Sequence, residues 1–464
     1  MSVNANRLPT LAHSRIEHYD DRGEPTVSIL IGAGIPFEPW NAYKAEYQLS
    51  FTEQRSQARS IGCLLDFIAS CSSEFEGVDR RARLFRAFAQ RLSEGTIGRN
   101  GDDTGLMWHP RSAHSVKVIV SDVTRFTDWL VDEAETKPRN PFNPSRPATA
   151  AEQIAFWRSW HRSTRGAFFT HLGPSERAKR ASLRARRTRA SKEPKVHRDP
   201  PRFPESAAAD LISRGFLSKG RPLWTILRDQ LITLLLVGGG LRVSEPLQLY
   251  ACDVFVHPED DTMAVVRIYH PSQGTVRLHD PISGEPQQMN RKQFLRHVYD
   301  LSPLTESVGK RRVGWKDPLL NDDRENYMLV FWRSRRLCQA FLQVFRRYLQ
   351  VAPMPRSHPY LFFASSGRPM SVPGFEKVHA AACRRIGLTP MKRLGTTPHG
   401  HRHAWGGWAN DRKVKGKAVQ VGLHHKSAES PQIYQGMTLS EILDEMSIRD
   451  RAGQTIGELG LADE

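Results

Sequence analysis

Three short stretches carry side chains whose types and spacing suit one kind of chemistry. "GGGLRVSEPLQL" (Gly238–Leu249) places Arg242 after a glycine run, with Glu245 three residues on. "TTPHGHRHAWGGWAND" (Thr396–Asp411) holds His399, His401, Arg402 and His403 within five positions. On a helix, His399 and Arg402 share a face. "VGLHHKSAESPQIYQG" (Val421–Gly436) puts His425 nine residues before Tyr434. Two arginines, two histidines and a tyrosine form a coherent set for transfer at phosphorus. Attack on a phosphodiester builds charge on the non-bridging oxygens, and the planar, permanently charged guanidinium fork matches them. Two such forks supply the stabilisation a metal would otherwise give. A tyrosine hydroxyl, with a free pKa of about 10, needs cationic neighbours and a base, and histidine can be that base.

Each residue also has an ordinary reading. Arg242 suits a surface position at a helix start, and most tyrosines sit in cores or at surfaces. His401 and His403 taken alone read as packing or surface residues. Trp405 and Trp408, three apart on a helix, read as core rather than as a platform for stacking bases. The histidines of "HGHRH", with His424 and His425, could bind zinc or nickel, but no Asp, Glu or Cys stands at a recognisable ligand spacing from them.

Taken together and in order, the three stretches resemble the Arg box, the H-x-x-R box and the "LGH…Y" box of the tyrosine recombinase (phage integrase) family. His425 follows Arg402 by 23 positions and precedes Tyr434 by nine, the family's usual arrangement. The resemblance covers roughly residues 204–436. It implies that Arg242 and Arg402 clamp a scissile phosphate, with Glu245 holding Arg242 from behind. It implies His399 as acid or base and His425 as a hydrogen-bond partner of a non-bridging oxygen. Tyr434 would attack, leaving a 3′-phosphotyrosyl bond and a free 5′-hydroxyl, with no metal and no ATP. The chain departs from the family at two positions: His424 stands where glycine is usual, and His401 where leucine is usual. His424 therefore competes with His425. The family's leaving-group lysine sits in a turn between two strands, which here is a long insertion containing Lys292, Lys310 and Lys316. Lys316 in "VGWKDP", closest to the second strand, is the preferred candidate.

Composition agrees with a polyanionic partner. The net charge is +18 with an isoelectric point near 9.9, and so large a charge repels itself unless a polyanion shares the surface. The five cysteines form no C-x-x-C, which argues against a disulfide framework or a zinc ribbon. No run of eighteen apolar residues exists, and the first twenty residues lack a secretory apolar stretch.

The elements that must position these residues fall into two domains. Residues 1–35 show no sustained period and read as an irregular arm. Helical periodicity follows in Arg55–Ser70, Arg81–Gly95 and His114–Glu135, and again around Trp157–Phe169. The expectation is an all-α N-terminal DNA core-binding domain over residues 1–174. Residues 175–203 read as a basic linker: Arg177–Arg198 carries ten Lys or Arg, among them Arg184, Arg186, Arg187 and Arg189, against Glu193. Charge of one sign at that density stays extended and lies on phosphates. Residues 204–436 read as a mixed α+β catalytic domain, mostly helical with a small antiparallel sheet. Its strands are expected at Met263–His270 and Tyr327–Trp332, separated by an insertion at about 271–326. In the tail, 437–464, Leu439, Ile442, Leu443 and Met446 make one apolar stripe.

The sequence thus points to a DNA strand-exchange enzyme whose two domains enclose duplex DNA, acting as a tetramer in the synaptic complex on a bacterial mobile element. Accessory proteins encoded by the element, a monomer in solution and a cytoplasmic, nucleoid-associated location belong to that expectation. The rivals are a type IB topoisomerase, a catalytically silent architectural DNA-binding protein and a His-metal hydrolase. The basic tract generates a prediction of its own. Neutralising five of its cations should flatten the log–log salt dependence of DNA binding by roughly four units. An unchanged slope in a salt titration would place the tract away from DNA.

Overall fold

The computed structural model describes residues 12–99, 101–133, 140–164, 175–188, 200–279 and 286–425, which divide into two units, Met1–His197 and Arg198–Glu464. The first unit opens with a sheet rather than an arm. Strands β1 (His13–Tyr19), β2 (Pro25–Ile31) and β3 (Ile35–Pro36) form an antiparallel sheet in that order. Asp20 closes the first turn by accepting the N–H groups of Arg22 and Glu24 at 3.0 and 2.9 Å, and Gly23 takes φ +75°. Val27 and Ile29 of β2 are buried against Trp40, Tyr43, Ile61, Phe126 and Trp129. The domain is therefore not all-helical. β1 is mostly exposed and shows no apolar alternation, so the hairpin is hard to see in the sequence.

Helices α1 (Glu38–Glu46), α2 (Phe51–Cys71), α3 (Arg80–Glu94) and α4 (Ala113–Glu133) follow. Ser50 and Glu53 form a reciprocal capping box at the start of α2. Leu64, Phe67, Phe85, Phe88, Leu92 and Val123 meet in one core, as their helical spacing requires. Helix α5 spans Ala150–Thr164.

The basic tract is not extended throughout. Its start folds as helix α6 (Glu176–Ser182), capped by Ser175, and strand β5 (Arg184–Arg186) pairs antiparallel with β4 (Ser145–Pro147). Arg186 bonds the Asp128 carboxylate and the Asn143 carbonyl, so opposite charge within the unit offsets the repulsion expected of the tract. Arg184 and Arg187 are exposed, and Arg189 lies outside the described residues.

The second unit begins with 3₁₀ and α turns ending in α7 (Ala208–Asp210) and a π turn, Leu211–Gly215. Helix α8 (Leu223–Gly239) then runs through the centre, buried along nearly its whole length. Strands β6 (Val254–His257), β7 (Asp260–Tyr269) and β10 (Tyr327–Leu329) make an antiparallel sheet in the order β10-β7-β6. The insertion between β7 and β10 contains a ribbon, β8 (Thr275–His279) with β9 (Pro286–Asn290), and helix α9 (Arg291–Tyr299). Phe294 and Leu295 enter the core, and beside them Arg291, which is 2% exposed, pairs with Asp253, donates to the Gln248 carbonyl at 3.0 Å and stacks on the rings of Tyr250 and Tyr269. Helices α10 (Arg335–Val351), α11 (Val372–Arg385), α12 (Pro398–Asp411) and α13 (Gly416–Gly422) complete the unit. Trp405 and Trp408 are core residues of α12.

Helices α11 and α12 meet through an imidazole pair: His379 Nε2 and His401 Nε2 lie 2.9 Å apart, both buried. One of these nitrogens must donate and the other accept, so the pair has no room for a second charge. Burial brings His379 down to about 4 and His401 well below its ordinary value, and His424 falls to about 3 for the same reason. Each is neutral when folded but protonates near 6.5 when unfolded, so the unfolded chain takes up protons first. Stability should therefore decline as pH falls from about 6.5 toward 4. The urea midpoint should be lower at pH 5 than at pH 7, and a His379→Leu/His401→Leu protein should show a shallower decline. Equal midpoints for the unaltered chain at the two pH values would contradict this account.

Candidate active site

The site starts at the end of α8. Gly240 closes that helix in the left-handed region at φ +64°, where a Cβ would come within 2.9 Å of Leu423 and Trp405. The chain can therefore turn tightly under α12 and deliver Arg242. Glu245, fully buried, accepts the Arg242 backbone N–H and Nη1 through its two oxygens, each at 2.7 Å. Arg242 keeps 20% of its side chain exposed, so its fork is fixed from behind and open in front.

Helix α12 begins with Pro398, suited to a first helical turn. His399 is exposed, whereas Arg402, one turn later, reaches inward and is 5% exposed. Its Nη1 donates to the Gly240 carbonyl at 2.7 Å and its Nη2 to the Leu423 carbonyl. Burial lowers Arg402 to about 10; Arg242 adds to the lowering, and Glu245 opposes it. Two guanidiniums thus lie within electrostatic reach of each other with one carboxylate behind them.

The histidines of "HGHRH" do not converge. His401 turns into the core, while His399 and His403 stack edge to face at 4.5 Å on another side of α12. Partial desolvation against α12, then His403, Arg402, Lys316 and Lys392, lower His399 to about 4. The charge of Lys316 therefore reaches His399 across the fold. The exposed Lys316 lies in a stretch tied at both ends: Val313 accepts from Gln248 at 3.2 Å, and Leu319 N–H donates to the His424 carbonyl at 3.2 Å. Of the two other lysines, Lys292 pairs with Glu306 at 3.1 Å and Lys310 sits in a separate 3₁₀ turn.

The end of α13 sorts His424 from His425. His424 has φ +52°, a conformation that glycine takes without strain, which accounts for glycine being usual there in the family it resembles. Its ring points inward, with Nε2 2.7 Å from the Leu329 carbonyl and Phe331 beside it. His425 is exposed, and its N–H closes the turn on the Gln420 carbonyl at 3.0 Å. Burial, then Arg402 and Arg242, lower His425 to about 4. Around neutral pH both His399 and His425 are neutral imidazoles, each with one nitrogen to accept and one to donate, beside two fixed cations. Such a cluster favours an oxyanion and can take a proton from, or return it to, a group bound there.

Arg242, Glu245, His399, Arg402, Lys316 and His425 are thus linked by hydrogen bonds or by charge. Tyr434 and the stripe 437–446 lie outside the described residues. Two neighbours escaped the sequence reading. His403 was legible, because it stands four residues from His399 on one helix face. Lys392, in the 3₁₀ turn Lys392–Leu394, carries no spacing signal, because only folding sets its charge near His399 and His403.

Residues 330–439 match the model of the phage integrase family. No curated protein matches the chain. Among solved structures, the Tn1549 transposon integrase in complex with transposon right-end DNA is 13% identical, with 88% of this chain and 97% of that one covered and a TM-score of 0.42. The XerH site-specific recombinase bound to difH substrate is 11% identical, with 86% and 80% covered and a TM-score of 0.42. Lambda integrase (residues 75–356) bound to DNA is 12% identical, with 86% and 94% covered and a TM-score of 0.38. The matched segment contains His399, Arg402, His425 and Tyr434 in the order and spacing of the boxes that the chain resembles.

Proposed function

We propose that the chain is a site-specific DNA recombinase that cleaves and rejoins duplex DNA through a 3′-phosphotyrosyl intermediate, integrating or excising a mobile element. The observation that carries this reading is the pair Arg242 and Arg402, each fixed by acceptors behind it, beside two neutral histidines. A scissile phosphodiester between the two forks receives their η protons on its non-bridging oxygens. His425 donates to one of those oxygens. The tyrosine oxygen of Tyr434 attacks phosphorus as His399 takes its proton. The bond from phosphorus to the 5′ oxygen breaks, and Lys316 supplies the proton that turns this oxygen into a hydroxyl. One phosphodiester replaces another, so no ATP is consumed, and the arginines provide the charge for which other enzymes use a metal.

Duplex DNA is the partner in this reading. The exposed Arg184 and Arg187, with Arg189 beyond them, contact backbone phosphates without reading bases. Four protomers on two sites exchange strands in pairs, and the tail 437–464 docks on a neighbouring protomer. The integrase segment disfavours a silent architectural protein, and the divergence of the "HGHRH" side chains disfavours a His-metal hydrolase. No helix among the described residues is long and apolar enough to cross a membrane.

The direct test uses nicked suicide duplexes drawn from the DNA flanking the gene. The unaltered chain should form a detergent-stable adduct with one of them. Tyr434→Phe should bind that duplex equally well and form none. An adduct mapped to another tyrosine would sink the assignment. Lys316→Ala should slow cleavage by about 10²–10⁴, the usual range for a lost general acid. A duplex with sulfur in place of the 5′-bridging oxygen needs no proton on its leaving group and should restore most of that rate. Equal losses on both duplexes would remove Lys316 from the acid role.

A further inference from the structure

Helix α12 carries glycine at positions 400, 406 and 407, although glycine is among the poorest helix formers. At Gly406 a Cβ would meet Leu423 at an ordinary 3.6 Å. At Gly407 it would stand 2.3 Å from the Arg202 guanidinium. At Gly400 it would stand 1.6 Å from the carbonyl oxygen of Gly395. Gly395 in turn, at φ +72°, has its Cβ position 2.2 Å from the Arg202 carbonyl oxygen. Gly400, Ala404, Gly407 and Asp411 form one face at helical spacing. Arg202 and Phe203 lie on that face. Phe203 N–H donates to the Gly400 carbonyl at 3.0 Å, and Arg202 Nη1 reaches Asp411 at 3.0 Å. The Phe203 ring, 2% exposed, lies 4.1 Å from the His401 ring at 30°, and His401 is in turn bonded to His379 on α11.

These two residues come directly after the basic tract and before the first turn of the second unit. We propose that Arg202 and Phe203 form a strap that positions α12, holding His399 and Arg402 in place for the reaction proposed above, on which this inference rests. His399 and Arg402 flank His401 in sequence, so a shift of the His401 ring moves both reacting side chains together. Phe203 is a positioning residue and acts through its contacts with His401 and Gly400.

The test uses the full chain and the nicked duplex that yields the adduct. Phe203→Ala should slow adduct formation at saturating duplex tenfold or more while changing the Kd for that duplex less than twofold. Phe203→Leu, which keeps most of the buried bulk, should recover most of the rate. Arg202→Gln, at a partly exposed position with little risk to folding, should give a smaller loss of the same kind. A second readout needs no DNA. In chain with ¹³C-labelled histidine, the His399 resonance, identified by its absence in His399→Gln, should move in Phe203→Ala. A folded Phe203→Ala protein with the parent rate and an unmoved His399 resonance would overturn the strap, as would a rate loss matched by an equal loss of affinity. If the unaltered chain forms no adduct, the functional reading fails instead, and the His399 resonance alone then decides whether Phe203 positions α12.

Discussion

Arg402 is the interaction on which the second unit's site depends. Its two terminal nitrogens are taken up by the carbonyls of Gly240 and Leu423, which close α8 and follow α13. One side chain therefore joins the ends of two helices to the middle of a third. Both carbonyls belong to helix termini, where acceptors lack partners within the helix. Taking Arg402 away would leave them buried and unsatisfied, at about 1–3 kcal/mol each. The same bonds set the direction of the guanidinium and bring it into the field of Arg242. A cation this buried, with a second one nearby, is tolerable because Glu245 and the carbonyls surround it, and it becomes favourable when an anion arrives.

The same logic, a buried charge paired on several sides, recurs where the unit must be held firmly. Arg291 fixes the insertion to the core through Asp253, the Gln248 carbonyl and two tyrosine rings. Gln248 also holds Val313, so one corner of the core serves both ends of the insertion's path toward Lys316. Asp229, fully buried on α8, is paired with Arg221 and Arg228, and Arg228 reaches the Phe363 carbonyl at 2.6 Å. Breaking one partner of such a pair typically costs about 3–5 kcal/mol, because the other charge is left without compensation.

The two departures from the family pattern have separate physical outcomes. His424 occupies a backbone conformation that favours glycine and offsets the strain by burying its ring with a bond to Leu329. His401 occupies a place where an apolar residue would pack, and it is accommodated by His379 across the helix pair. Both are neutral, and both lie directly beside residues of the site. The chain thus has titratable groups beside its candidate site at two positions where the family it resembles usually has glycine or leucine.

Part of the second unit was legible in the sequence, because it lies in short local patterns. The spacing of Arg242 and Glu245 is that of the hydrogen-bonded pair they form, whereas the spacing of His425 and Tyr434 carries meaning only through the resemblance to the integrase boxes. The strands expected at Met263–His270 and Tyr327–Trp332 appear as β7 and β10. Tertiary structure alone decided the rest. The nine-residue spacing to Tyr434 favours His425 over His424, but only the structure shows that the His424 ring is buried against the Leu329 carbonyl at a positive φ. No spacing could set the charge of Lys316 beside His399, across a fold that separates them by more than eighty residues. The sheet at the start of the first unit was hidden because an exposed strand carries no alternation. The tract's folded start was hidden because Arg186 finds Asp128 only once the unit has formed. Local order follows from local pattern; which charge meets which is settled only when distant segments are packed, since the energy of that meeting depends on burial that the sequence does not state.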